Sequence, residues 1–196
     1  EPVYTDAIDG LIDFDDFAAK VPDCKAAIIN SPSNPTGRVE AIDTLKKIET
    51  ITSELGVYVL SDEVYKDLIY VRENYLITGP HVVTINSFSK TFAMTGWRIG
   101  YLLSPDPEAM TQLTKMQYYV TACTNDAMQH AVLVALEEAA GYPEEMCSEF
   151  KARRDIICER LNAMPGVSCR VPTGAFYVFP KVDVPGLNSE EIAMAL

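Results

Sequence analysis

An α/β fold, a mostly parallel sheet flanked by helices, is predicted by two features of this 196-residue chain. First, short apolar runs at residues 26–29, 57–60 and 82–85 alternate with longer stretches of helical periodicity. That alternation is the pattern of parallel strands joined by crossover helices. Second, each run gives way at once to polar residues, so that Asn34, Asp62 and Lys90 all follow predicted strand ends. In sheets of this kind ligands sit outside the carboxyl ends of the strands.

Taken in order, residues 3–4 predict a short strand and a turn follows. Residues 13–20 predict a helix, with an acidic N-terminus and Phe14, Phe17 and Ala18 at helical spacing. After the strand at 26–29, Pro32, Pro35 and Gly37 exclude helix and predict an ordered loop. Ile42, Leu45, Ile48, Ile51 and Leu55 make 41–55 an amphipathic helix closed by Gly56. The strands at 57–60 and 82–85 flank a less regular stretch, and Ile99 to Leu103 is a further apolar segment. Asp106-Pro107-Glu108 opens a helix through Met110, Leu113, Met116 and Val120. Asn125 or Thr124 caps a second, running to Gly141. Pro143 begins a third, with Met146, Phe150, Ile157 and Leu161 along one face. At ~1.5 Å per residue that helix is about 30 Å long, enough to run between domains. Residues 167–171 and 175–179 predict strands, and a last helix begins near Ser189.

The formal net charge of −12 argues against nucleic acid or anionic membrane as a partner, since both require a basic footprint. No apolar run approaches the ~18 residues of a membrane span. Five scattered cysteines without a C-x-x-C, and two histidines far apart in sequence, argue against a zinc site and a complete disulfide framework. A reducing cytoplasm fits this usage. The first residues, Glu1-Pro2-Val3-Tyr4, resemble neither a signal peptide nor a chain start, and predict an excised piece of something longer.

The chemistry gathers in residues 87–101, where Ser87, Ser89, Lys90 and Arg98 follow the strand at 82–85. Singly, each candidate has a plain structural explanation. Lys90 suits a solvated surface, Arg98 a surface salt bridge, Asp62 a helix N-cap, Tyr65 core packing and Asn34 a turn. Together they place a carboxylate, an amide, a phenol, an amine and a guanidinium at one sheet edge. A flat aromatic cofactor bearing a phosphate accounts for the set. A carboxylate keeps a pyridine nitrogen protonated, and an amide and a phenol donate to a ring oxyanion. A guanidinium with hydroxyls holds a phosphate, and an amine forms a Schiff base with an aldehyde.

Asn34-Pro-Thr-Gly, Ser61-Asp-Glu-Val-Tyr65 and Ser87-Phe-Ser-Lys-Thr-Phe…Gly96-Trp-Arg98-Ile-Gly-Tyr resemble the fold-type-I pyridoxal-phosphate enzymes, above all the class I/II aminotransferases related to aspartate aminotransferase. Thr173-Gly-Ala-Phe-Tyr177 is similar to the same branch, so the resemblance runs essentially end to end. It implies an enzyme that moves an amino group between an amino acid and a 2-oxo acid on pyridoxal 5'-phosphate. By it, Lys90 is the Schiff-base lysine and Asp62 the partner of the pyridine nitrogen. Asn34 and Tyr65 contact the ring oxygen, Ser87 and Arg98 the phosphate, and Ser89 is a further phosphate candidate. It also implies a homodimer, with residues 1–142 as most of the large domain. Residues 143–196 would then be the interdomain helix and the start of a smaller α+β domain.

The family's N-terminal phosphate loop and ring-stacking aromatic, and its C-terminal arginine for the substrate carboxylate, have no counterpart here. The chain alone is therefore expected to be inactive. C–S β-lyases and related lyases or synthases of the same fold share these motifs, as do effector domains of some transcription regulators. Ser87-x-x-Lys90 also matches the S-x-x-K of penicillin-binding proteins, but the downstream S-D-N and K-T-G are missing. The amino-acid substrate is not legible in these motifs.

Overall fold

The computed structural model describes residues 1–71 and 73–195; the expected C-terminal boundary at residue 196 lies outside them. The chain opens with a hairpin, β1 (Ala7–Ile8) and β2 (Leu11–Ile12), paired antiparallel through Ala7↔Ile12 and Ile8↔Leu11. The strand expected at residues 3–4 does not form, because no strand pairs with them and Tyr4 is 80% exposed. Helix α1 (Phe14–Lys20) follows, its first N–H groups satisfied by the Asp13 carboxylate, which accepts from Asp15 and Asp16.

The central sheet contains β3 (Ala26–Asn30), β4 (Tyr58–Asp62), β5 (Val82–Ser87) and β6 (Gly100–Leu103), in that order. The first three are parallel, and β6 runs antiparallel to β5. Helix α2 (Ile42–Leu55) makes the crossover from β3 to β4. Its Leu45 and Ile48 are fully buried against Phe17, Ile29, Val59 and Val82. Burying each such side chain contributes roughly 1.5–3 kcal/mol. The irregular stretch before β5 is tied to the same helix by Glu49, which accepts from the Tyr75 hydroxyl at 3.0 Å and the Thr78 amide at 2.7 Å. On the opposite face of β3, Ile28 is 74% exposed.

Beyond β5 come the four-residue α3 (Phe88–Thr91), then β6, α4 (Pro107–Thr121) and α5 (Asp126–Glu138). Asp106 and Asn125 cap α4 and α5 through their side chains. Helix α5 stops short of Gly141, which serves instead as the N-cap of α6 (Tyr142–Asn162). The two strands expected next are corrected. Only β7 (Val167–Ser168) forms within 167–171, and it pairs with β8 (Lys181–Val182) rather than with residues 175–179. Residues 175–179 fail as a strand because Ala175 adopts φ 53° and its amide donates to Leu68. Helix α7 (Ser189–Ala195) ends the described chain, in which no helix is long and apolar enough to cross a membrane.

Ile48 faces the centre of the main core with no exposure. Ile48→Ala is expected to lower stability by about 2–5 kcal/mol, read as a lower urea midpoint with an unchanged slope.

Candidate functional site

The sheet register sets the site. Asn30 pairs with Asp62 across β3–β4, and Asp62 with Ile85 across β4–β5, so β3 and β4 end level while β5 runs two residues further, to Ser87. Strand β6 runs the other way and starts at the same edge, with Gly100 opposite Ser87. Arg98, two residues earlier, is thereby brought beside the end of β5. The Phe88 amide and the Ser87 hydroxyl each donate to the Ile99 carbonyl at 3.3 Å.

Lys90 lies on α3, which at four residues is too short to hold itself together. Side chains fix it from both ends. Ser87 caps it, accepting from the Ser89 amide at 3.1 Å, and the Thr91 hydroxyl donates to Asp67 at 2.8 Å. Thr95 adds a bond to the Ser89 carbonyl at 3.0 Å. So fixed, Lys90 Nζ stands 5.7 Å from the centre of the Tyr65 ring and 5.3 Å from that of Phe176. Among the described residues it has no hydrogen-bond or ion-pair partner, and neither Asp62 nor Arg98 forms an ion pair. Its described contacts are aromatic faces.

Asp62 accepts from the Val64 amide at 3.3 Å but caps no helix. The chain turns instead, with Lys66 N–H on Glu63 O and Leu68 N–H on Tyr65 O, both at 2.9 Å. That turn buries Tyr65 to 3% exposure. Burial pushes the Tyr65 phenol far above its ordinary pKa, while the nearby Asn34 amide opposes the rise. Neighbouring Glu63 is also buried, which raises its carboxyl above the usual range against a 2.9 Å bond from the Ser61 hydroxyl.

Residues 173–177 complete the cluster by docking on the Asn34–Gly37 loop. Gly37 O accepts from Thr173 and Gly174 at 2.9 Å, and the Val39 amide donates to the Thr173 hydroxyl at 2.8 Å. The approach leaves no room for side chains. A Cβ on Gly37, whose φ is +65°, would stand 2.7 Å from Pro172 Cβ and from the Tyr177 carbonyl. One on Gly174 would stand 2.8 Å from Val39 and 2.9 Å from Pro32. Phe176 and Tyr177 consequently meet the Tyr65 ring edge-on, at 5.4 and 5.5 Å between centres.

The structure thus gathers Asn34, Asp62, Tyr65 and Lys90 at one edge. Ser87 and Arg98 are neighbours through their backbones, but their side chains diverge. The Arg98 guanidinium donates to Thr95 O at 2.8 Å and lines a cavity of about 390 Å³ against Thr121 and Asn125, which Ser87 does not line. Arg98 itself is held left-handed at φ 53°, a conformation that costs an L-residue about 1–2 kcal/mol. Ser89 is buried. A cavity of about 830 Å³ lies along β3 and the first residues and is lined by neither Lys90 nor Asp62.

Sequence reasoning missed Tyr177, Asp67, Thr91 and Asn30 as parts of the site. Asn30 Oδ1 accepts from the Asn34 amide at 2.8 Å, fixing the loop that carries Asn34. Its position as the last polar residue of a strand was the available signal. Nothing local marks Tyr177, which lies 112 residues from Tyr65.

The donor set suits a pyridoxal-phosphate group. It offers an amine without an acid partner among the described residues, a carboxylate at the end of the neighbouring strand, and a buried phenol and an amide together. A sequence model of aminotransferase class I and II matches residues 3–196, and the chain belongs to that family. The aspartate aminotransferase of Pyrococcus horikoshii is 38% identical over 172 residues, 85% of this chain and 44% of the relative. That of Thermotoga maritima is 42% identical over 163 residues, 81% and 42% of the two chains. Among solved structures, the aromatic aminotransferase from Pyrococcus horikoshii superposes with a TM-score of 0.85 at 36% identity, covering 93% of this chain and 51% of that one. The chain spans about half the length of the curated relatives it matches.

Gly37→Ala adds left-handed strain to a backbone clash. It is expected to cost about 2–5 kcal/mol, measured by urea unfolding, well beyond a surface Gly→Ala change.

Proposed function

We propose that the intact polypeptide carrying these residues is a pyridoxal-phosphate-dependent aminotransferase acting on an amino acid and a 2-oxo acid in the cytoplasm, as a homodimer. Residues 1–142 then form most of the cofactor domain, and the remainder the interdomain helix and part of the small domain. The observation that carries this reading is Lys90: an amine faced by two aromatic rings, without an acid partner among the described residues, on a helix fixed at the edge where Asp62 ends its strand. The family relationship supports it.

When bound, the cofactor supplies an aldehyde that captures amines and a ring that withdraws electrons. Lys90 would hold that aldehyde through its amine and would move the proton at the substrate Cα. Asp62 would favour the protonated form of the ring nitrogen, since an opposite charge stabilises the charged state. Asn34 and Tyr65 orient the ring through its oxygen. Ser87 and Arg98 would hold the phosphate after turning from the Ile99 and Thr95 carbonyls to which they donate here, with Ser89 a buried neighbour on the same short helix.

Proton transfer by a placed side chain typically contributes ~10²–10⁴-fold, so Lys90→Ala is expected to lower turnover at least that far in the intact polypeptide. Borohydride reduction with pyridoxal phosphate should label Lys90 in the unsubstituted protein; label on another lysine, or full turnover in the variant, would reject the assignment. The isolated 196 residues are the negative control, expected to give no turnover.

Asp62→Asn separates the electronic role from the turn. Asparagine accepts the Val64 N–H as well as aspartate does, so folding should be retained. The kcat is expected to fall at least tenfold with cofactor still bound, and an unchanged kcat would leave Asp62 a turn residue only.

A further inference from the structure

Tyr65 and Tyr177 share a hydrogen bond between their hydroxyls, and nothing in the reading above uses it. Tyr65 stands on the turn after β4, whereas Tyr177 arrives from beyond α6. The Tyr177 ring meets the Tyr65 ring at 5.5 Å and 79°, so ring position and hydroxyl bond are set together. Its backbone is held at the same time, because Gly37 O, Leu68 O and Tyr70 N–H clamp residues 173–175. The Tyr70 hydroxyl adds a further bond to the Ala175 carbonyl.

Two phenols carry two protons between them, and the shared bond uses one. The other remains for an acceptor outside the pair, on the side where Asn34 and Lys90 lie. Without this partner the buried phenol would keep only the nearby Asn34 amide to orient its oxygen.

We propose that Tyr177 is a positioning residue for the Tyr65 phenol: its hydroxyl fixes the Tyr65 oxygen as a donor at the sheet edge and couples the 173–177 segment to the cofactor site. The coupling to cofactor rests on the reading of that edge as the pyridoxal-phosphate site; the pairing of the phenols does not. Tyr177 moves no proton of the substrate.

The test uses the intact polypeptide carrying 3-fluorotyrosine, whose lower intrinsic pKa brings phenol titration within reach of fluorine NMR. The position-65 signal is assigned by its loss in Tyr65→Phe. In the cofactor-free protein, Tyr177→Phe is expected to raise the position-65 midpoint by about one pH unit, because the Tyr65 phenolate loses the hydrogen bond that the Tyr177 hydroxyl donates to it. Tyr70→Phe, which loosens the same segment without touching the Tyr65 oxygen, should leave it unchanged. With pyridoxal phosphate bound, Tyr177→Phe should also move the pH midpoint of the visible absorption band, and Tyr70→Phe should not. An unmoved position-65 midpoint in Tyr177→Phe, or an equal shift in both variants, overturns the proposal. If the unsubstituted protein shows no cofactor band while Tyr177→Phe still moves that midpoint, the cofactor reading falls and the pairing stands.

Discussion

The register of three parallel strands is the constraint on which the rest depends. Backbone pairing through Asn30, Asp62 and Ile85 fixes where each strand releases its chain, and a slip by one residue would turn every side chain to the other face. The turn of Tyr65, the short helix of Lys90 and the loop of Asn34 all leave from that line. The antiparallel fourth strand adds what a purely parallel sheet cannot, since its N-terminal end lies at the same edge and delivers Arg98 there.

A second requirement is that distant segments close on this edge without side chains between them. Residues 173–177 approach the Asn34–Gly37 loop so tightly that carbonyls and prolines stand where Cβ atoms would be. In exchange for two glycines, the segment brings Phe176 and Tyr177 onto Tyr65 and its hydroxyl bond. Short helix α3 is treated similarly, with Asp67 from the Tyr65 turn holding Thr91. Lys90 and Tyr65 are thus positioned by contacts to each other's supporting elements, so displacement of one turn is felt by both.

Strand cores and long helices were legible in the sequence because period and caps act locally. Asp13, Asp106 and Asn125 cap their helices from adjacent positions, and the run at 82–85 needs only its own β-branched residues. Asn34, Asp62 and Lys90 were placed for the same reason, each following a strand end. Residues 175–179 read as a strand but do not form one, because Ala175 turns left-handed and spends its amide on Leu68, a partner 107 positions away in the chain numbering. The gap between a motif and its neighbours hides such choices. Tyr177 is the clearest instance, since only the tertiary closure reveals which hydroxyl it meets.

Overall charge and local site pull against one another. The chain carries −12, a field that opposes any phosphate, yet the edge presents Lys90 and Arg98 without acid partners among the described residues. Placement does part of this: Arg98 is held left-handed and its guanidinium donates to the Thr95 carbonyl. Burial does the rest. Glu63, next to Asp62, is enclosed with Ser61, and enclosure favours its neutral form. Glu63 accepts from the Ser61 hydroxyl at 2.9 Å, and neither it nor Asp62 forms an ion pair with Lys90 among the described residues, so the lysine stays uncommitted.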